Sequence, residues 1–315
     1  IDGTAVSNHL RFSKLLVFCT NWLIALMNEN VIYPVAIPKE TNRLFHDKLH
    51  PKLNASRVLL RQGEDLRAYQ HIKQLQQSGE FILYYQPQMN IEKNCITSLE
   101  ALIRHKASTG VITTPTFLLS FAKLGLIPEV DTWVIKRALQ EVSSLAQNPE
   151  FKISINVSPQ TFLIKGFADT VLSMIIQSNL QYHQVELEIT EDVLIQDANQ
   201  MRKVFTQLKR AGVSIALDDF GAGYSSIGNL INYEYDKVKI DRSLVTNIGH
   251  KNGREMFRLT TDLVKLSGAE ITVEGVETNE ELEFISSLGI KSIQGYYFYK
   301  PMPFDQVCSQ LTICK

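Results

Sequence analysis

From residue 80 onward, short runs rich in β-branched and aromatic residues alternate with longer stretches of helical apolar periodicity. Eight runs read as strands, at 81–89, 96–104, 151–157, 185–190, 213–220, 236–241, 270–275 and 292–298. Only residues 90–95 separate the first two, too few for the crossover that parallel neighbours need, so this pair is expected to be a hairpin. Helical patterns fill the later gaps, at 115–124, 129–147, 159–178, 192–211, 254–267 and 279–288. Pro115, Pro159 and Pro303 fall just inside helix starts, where a missing N–H costs nothing. Gly212 and Gly268 follow helix ends, as C-terminal caps do. The expectation is an α/β fold, a modified TIM-type (β/α)8 barrel with an antiparallel first strand. An open doubly wound sheet is the alternative. It calls for a glycine-rich phosphate turn after its first strand, and here the chain reads Gln86-Pro87-Gln88.

Residues 1–79 lack that rhythm. Pro34, Pro38 and Pro51 interrupt them, and a polar helical run at 56–77 carries Leu59, Leu66, Ile72 and Leu75 at its apolar positions. The reading is a mainly helical N-terminal extension over 1–64 and a barrel domain over 65–315. The apolar segment 15–27 contains Thr20 and Asn21 and is shorter than the roughly 20 residues of a spanning helix. A buried or amphipathic helix is expected there, with the remnant of a preceding membrane or sensor domain as the alternative. No signal-peptide layout is present. The barrel is therefore expected in the cytoplasm, alone or as the cytosolic part of a membrane protein. His46 and His50 have a zinc-compatible spacing, but Pro51 follows and no HExxH glutamate accompanies them.

Hydrophobic residues make up 44% and charged residues 21%, so a large core can form without disulfides. The net charge of −1 excludes a basic field that would gather long nucleic acid. An anionic substrate must then be met locally. Cys19, Cys95, Cys308 and Cys314 form no CxxC pair or zinc pattern and are expected to be reduced and packed.

The chemistry lies in how the strands end. The second run carries Glu100, the third Asn156, and the fourth Glu188 with Glu191 just beyond. The fifth ends in Asp218-Asp219, the sixth carries Lys239 and Asp241, the seventh leads through Glu274 to Glu277, and the eighth carries Gln294. Each alone reads as a helix cap or a solvated charge. In a barrel, however, these ends converge on one face. So many carboxylates in one volume repel unless cations join them, and an all-oxygen set without matching His or Cys suits Mg²⁺ or Mn²⁺. Two such ions can clamp the attacking and leaving oxygens of a phosphodiester.

With those residues in place, the sequence resembles the EAL family of cyclic di-GMP phosphodiesterases over about residues 65–312. The resemblance rests on ordered blocks: Tyr84-Tyr85-Gln86-Pro87, Glu100-Ala101-Leu102-Ile103-Arg104, Ile155-Asn156-Val157-Ser158, Glu186-Leu187-Glu188-Ile189-Thr190-Glu191, Leu217-Asp218-Asp219-Phe220-Gly221, Lys239-Ile240-Asp241-Arg242-Ser243, Glu274-Gly275-Val276-Glu277-Thr278 and Gln294-Gly295-Tyr296. It implies metal ligation by Glu100, Asn156, Glu188 and Asp218, with Asp219 and Glu274 serving a second ion. Lys239 would orient the attacking water, and Glu191 would anchor the loop 219–226. Gln86, Leu102, Arg104, Asp241, Glu277, Gln294 and Tyr296 would contact substrate. The implied reaction is hydrolysis of cyclic di-GMP to linear pGpG with two Mg²⁺ or Mn²⁺ ions, in a homodimer joined through the loop and helix around 219–235. The sequence departs from the family's usual pattern after Arg104, where residues 105–110 are short and polar, and at Val273, where alanine is common. A non-catalytic cyclic di-GMP receptor signalling to a protein partner is the second reading, and an unrelated metal-dependent barrel enzyme the third.

Overall fold

The structure, a computed structural model, describes residues 66–190, 197–222, 230, 233–310 and 313–314. Segment 15–27, His46, His50 and Cys19 lie outside these residues, as do Glu191 and most of 219–235. After a helix at 66–77, nine strands follow: β1 (Phe81–Asn90), β2 (Cys95–Lys106), β3 (Ile112–Thr113), β4 (Lys152–Asn156), β5 (Val185–Thr190), β6 (Ser214–Phe220), β7 (Lys237–Ile240), β8 (Glu270–Glu274) and β9 (Ser292–Gln294). The sheet runs β1-β9-β8-β7-β6-β5-β4-β2-β3, and a β1–β2 pairing closes eight of these strands into a barrel. β1 is antiparallel to both neighbours, and the other ring pairs are parallel, as expected from the short first connection. The short β3, which the apolar pattern did not reveal, pairs only with the outer end of β2.

Strands β4, β5 and β7 alternate strictly. Ile153 and Ile155 on β4, Val185, Leu187 and Ile189 on β5, and Val238 on β7 belong to the apolar core shared with the helices. The residues between them face the lumen and are polar: Ser154, Asn156, Glu186, Glu188, Lys237 and Lys239. All-parallel barrel strands usually read as near-continuous apolar runs. Here period-two alternation confines the hydrophobic stabilisation, about 1.5–3 kcal/mol for each large side chain fully buried, to the layer outside the barrel. The long helix Ile127–Glu141 contributes to that layer through Val130, Val134, Ile135, Ala138 and Leu139.

Three elements differ from the sequence reading. The predicted 159–178 helix is two, Pro159–Phe162 and Phe167–Gln177, separated at Gly166, whose φ is 82°. The last strand ends at Gln294 and not near 298, because the chain turns at Gly295, where a Cβ would meet the Val276 carbonyl oxygen at 2.1 Å. The cysteines are not all reduced: Cys95 and Cys314 are joined. Cys314 N–H donates to the Ile96 carbonyl (2.8 Å), laying the C-terminal segment along the start of β2 with the two Cα atoms 5.2 Å apart. Cys308 is free and exposed. Among the described residues, no helix is long and apolar enough to cross a membrane.

Candidate metal centre

Lys239 organises the mouth formed by the C-terminal strand ends. It is fully buried, and its Nζ lies 2.7 Å from Glu188, 2.7 Å from Glu274, 3.2 Å from Asp218 and 3.5 Å from Glu100. Glu100 also accepts from Asn156 Nδ2 (2.7 Å) and Gln294 Nε2 (2.5 Å), and Gln294 Nε2 reaches Gln86 Oε1 (3.2 Å). Strands β1, β2, β4, β5, β6, β7, β8 and β9 thus each supply a side chain to one connected polar cluster.

Consecutive strand residues point to opposite faces, so Asp218 and Asp219 could not both reach the lumen from a regular strand. A register shift between Leu217 and Phe220 and a left-handed φ of 56° at Asp219 resolve this. The bulge redirects Asp219, and oxygens of Asp218, Asp219 and Glu274 come within 4.8 Å of one another. Gly221, two residues on, has φ 96° and approaches Leu244 so closely that a Cβ would sit 2.4 Å from its Cδ1.

The electrostatics follow from burial and crowding. Burial pushes the Asp219 carboxyl up, and Asp218 and Glu274 add to it, to about 10. Burial likewise raises Glu274 to about 8 against the pull of Lys239. Glu188 is raised well above the ordinary range by burial and by Glu100, Asp218 and Glu186, which together outweigh Lys239. At Glu100 the balance reverses: burial opposes ionisation, but Lys239 with Gln294 and Asn156 holds the carboxyl below its usual value. Burial alone would lower Lys239, yet its four carboxylates hold it far above the ordinary lysine range.

The residues fit a divalent cation. Five carboxylates surround one ammonium, and Glu188 Oε1 is buried with no hydrogen-bond partner among the described residues. Hard, oxygen-preferring ions supply the missing charge and ligation partner.

Leu102 is buried above Glu100, on the lumen side of β2. Arg104 donates to the Ile103 carbonyl and lies 6.0 Å from the Tyr84 ring centre, and burial lowers its pKa. Gln86 Nε2 donates to the Tyr299 carbonyl (3.2 Å). Asp241 caps the short helix Arg242–Val245, accepting from Ser243 N–H, and Glu277 pairs with Arg242 at 2.9 Å. Tyr296 is half exposed beneath the Lys300 ammonium.

One layer deeper, sequence reasoning missed a second polar set. Two residues from each mouth group lie Gln88, Ser98, Ser154, Glu186 and Lys237, all buried. Lys237 Nζ donates to Glu186 (2.7 Å) and to Gln88 Oε1 (3.3 Å), Ser154 to Glu186 (2.7 Å), and Ser98 to Gln88 (2.8 Å). The signal was in the strands: Gln-x-Gln on β1, Glu-x-Glu on β5 and Lys-x-Lys on β7.

This geometry defines an α/β barrel with an acid-rich mouth whose carboxylates could hold a cation. The chain belongs to the EAL domain family, whose model matches residues 69–301. The bifunctional diguanylate cyclase/cyclic di-GMP phosphodiesterase MucR of Pseudomonas aeruginosa is 29% identical over 252 residues, 79% of this chain and 37% of that protein. A solved PaMucR phosphodiesterase complex with c-di-GMP superposes with a TM-score of 0.71 at 29% identity, covering 76% of this chain and 99% of that one. Klebsiella pneumoniae BlrP1, solved as a manganese/cy-diGMP complex, gives 0.64 at 28% identity over 71% of this chain and 56% of its own. The chain spans 30–37% of the length of the first curated relatives it matches.

Proposed function

We propose that this barrel hydrolyses cyclic di-GMP to linear pGpG. The observation that carries the reading is the complete oxygen-donor set gathered around Lys239, with Asp218, Asp219 and Glu274 close enough to share a cation. Its relatives' names and ligands support the cyclic dinucleotide as substrate. Glu100, Asn156, Glu188 and Asp218 would hold one divalent ion, with Asp219 and Glu274 serving a second. Bound there, such ions supply an acidified water and positive charge against the extra phosphoryl negative charge.

The chain's own residues do the rest. Lys239 stays cationic through neutral pH, orients the water and offsets charge growing on the non-bridging phosphate oxygens. A water oxygen bonds to phosphorus, the bond from phosphorus to the ribose 3′ oxygen breaks, and that oxygen leaves with a proton. The product carries one 5′ phosphate and one free 3′ hydroxyl. Arg104 faces the anionic backbone, while Gln86, Leu102, Asp241, Glu277, Gln294 and Tyr296 form the walls that seat the dinucleotide. Glu191 would anchor the loop 219–226. The same reading takes residues 65–315 as the catalytic domain, 1–64 as an extension, and a homodimer joined through 219–235. An elution mass at the monomer value would count against the dimer.

The test is incubation of the purified chain with cyclic di-GMP and Mg²⁺, Mn²⁺ or EDTA, with Glu100→Ala alongside. Linear pGpG is expected only with metal and intact Glu100. Binding without cleavage under either metal would replace the enzyme with a cyclic di-GMP receptor.

A further inference from the structure

The barrel has a second opening at the N-terminal strand ends, opposite the carboxylate-rich mouth. A cavity of about 430 Å³ lies there, within the size range of small-molecule sites. Its walls come from the β1–β2 hairpin, the starts of β4, β7, β8 and β9, and the end of the long helix Lys251–Ser267. Five lysines line it, Lys93, Lys152, Lys237, Lys265 and Lys291, against two glutamates, Glu150 and Glu270.

Among the described residues, the ion pairs leave two lysines and one lining carboxylate, Glu270, over. Lys93 is paired with Glu150 (3.1 Å), Lys291 with Glu92 (2.6 Å) and Lys237 with Glu186 (2.7 Å). Among the described residues, Lys152 and Lys265 pair with no carboxylate. Lys152 Nζ lies 3.5 Å from Ser214 Oγ, and Lys265 Nζ donates to the Leu288 carbonyl (2.8 Å). Each ammonium carries three donors, so these contacts leave capacity for an anion.

The base of the cavity points the same way. Ser98 and Lys237 both line it, and both donate to Gln88 Oε1. That carbonyl is thereby fixed as acceptor, which leaves Gln88 Nε2 as a donor on a fully buried side chain. Nε2 has no partner among the described residues. A buried unmatched donor costs about 1–3 kcal/mol, but Gln88 stands behind the cavity, whose base is formed by Ser98 and Lys237. The catalytic mouth has the opposite character: without cations its carboxylates repel anions, so the two ends of one lumen select ligands of opposite charge.

We propose that this floor cavity binds a compact phosphate-bearing anion, held by Lys152 and Lys265 at the walls with Ser98 and Lys237 at its base. The site is separate from the phosphodiesterase reading and stands whether or not the mouth is catalytic.

Calorimetric titration of inorganic phosphate and of pyrophosphate into the full chain, in EDTA at low ionic strength, tests it. EDTA removes any cation-mediated binding at the mouth. Saturable one-to-one binding is expected for the wild type and equally for Glu100→Ala. Lys265→Gln, a change at an exposed position, should weaken binding about tenfold, and Lys152→Gln/Lys265→Gln about a hundredfold, one decade for each charge-assisted contact. Circular dichroism establishes that each variant is folded. Absence of saturable binding by the wild type, unchanged affinity in the folded lysine variants, or loss of binding in folded Glu100→Ala would each overturn the proposal.

Discussion

Replacing Lys239 with methionine tests the electrostatic account of the mouth most directly. Methionine keeps the length of the side chain and removes its charge. Lys239 Nζ lies within 3.5 Å of four carboxylates and is fully buried, so the metal-free variant leaves those carboxylates without their counter-charge. Removing one partner of a buried ion pair typically costs about 3–5 kcal/mol. Across a domain of this size that is a fall in Tm on the order of 10 °C. Protonation of the carboxylates limits the cost, so the deficit should be smaller at acid pH than at alkaline pH. Divalent cations supply the missing charge, and Mn²⁺ should restore most of the lost Tm. Hydrolysis should not recover with it, because a lost electrostatic donor costs about 10²–10³-fold in rate. The assay pairs thermal unfolding, in EDTA and in Mn²⁺, with pGpG formation from cyclic di-GMP. A metal-free variant as stable as wild type, or a Mn²⁺-loaded variant of wild-type activity, would refute the reasoning.

The raised carboxyls at the mouth make metal-free stability pH-dependent. Glu274 and Asp219 hold their protons to about 8 and about 10 when folded but only to roughly 4 when unfolded. The folded state therefore binds more protons between these limits, and stability falls as pH rises through that window. Urea titrations in EDTA from pH 5 to 9 should show the fall, and a flat profile would contradict the assigned crowding. Gly295→Ala places a Cβ 2.1 Å from a backbone carbonyl oxygen, so stability should drop by about 2 kcal/mol or more, read as a lower urea midpoint. The Cys95–Cys314 bond closes a loop with a sequence separation of 219. Reduction should cost about 2–4 kcal/mol, and alkylation of the denatured protein should leave Cys95 and Cys314 unmodified before reduction and modify both after it.

Much of the architecture was legible because the alternation on β4, β5 and β7 is strict. Where every second residue is Ile, Val or Leu and the residues between are polar, strand positions and lumen-facing groups follow from period two alone. Glu100, Glu188, Lys239 and Gln294 were found because they stand near strand ends, which a closed barrel brings to one face, and they do meet. Asp219 could be placed beside Asp218 by proximity in sequence, but its turn into the lumen depends on a bulge that no periodicity encodes. Asp241 and Glu277 have local partners in Ser243 and Arg242, contacts set by a short helix and a loop. The deeper Gln88–Glu186–Lys237 layer was readable from the same alternation, yet it sits among strand starts, where no convergence was expected. The disulfide escaped because its two cysteines share no local pattern and meet only when the C-terminal segment lies along β2.

The antiparallel β1 also decides where the two ends of the described barrel lie. Phe81 pairs with His105 at the outer end of β2, so the chain enters the first strand at the acidic rim. Cys314 is pinned to Cys95 beside the first residues of β2, so it leaves at the floor. An all-parallel barrel of eight units would begin and end on the same side. Here Phe81 starts at the acidic mouth and the C-terminal segment comes back to the lysine-lined floor, so these two ends lie at opposite openings of one lumen.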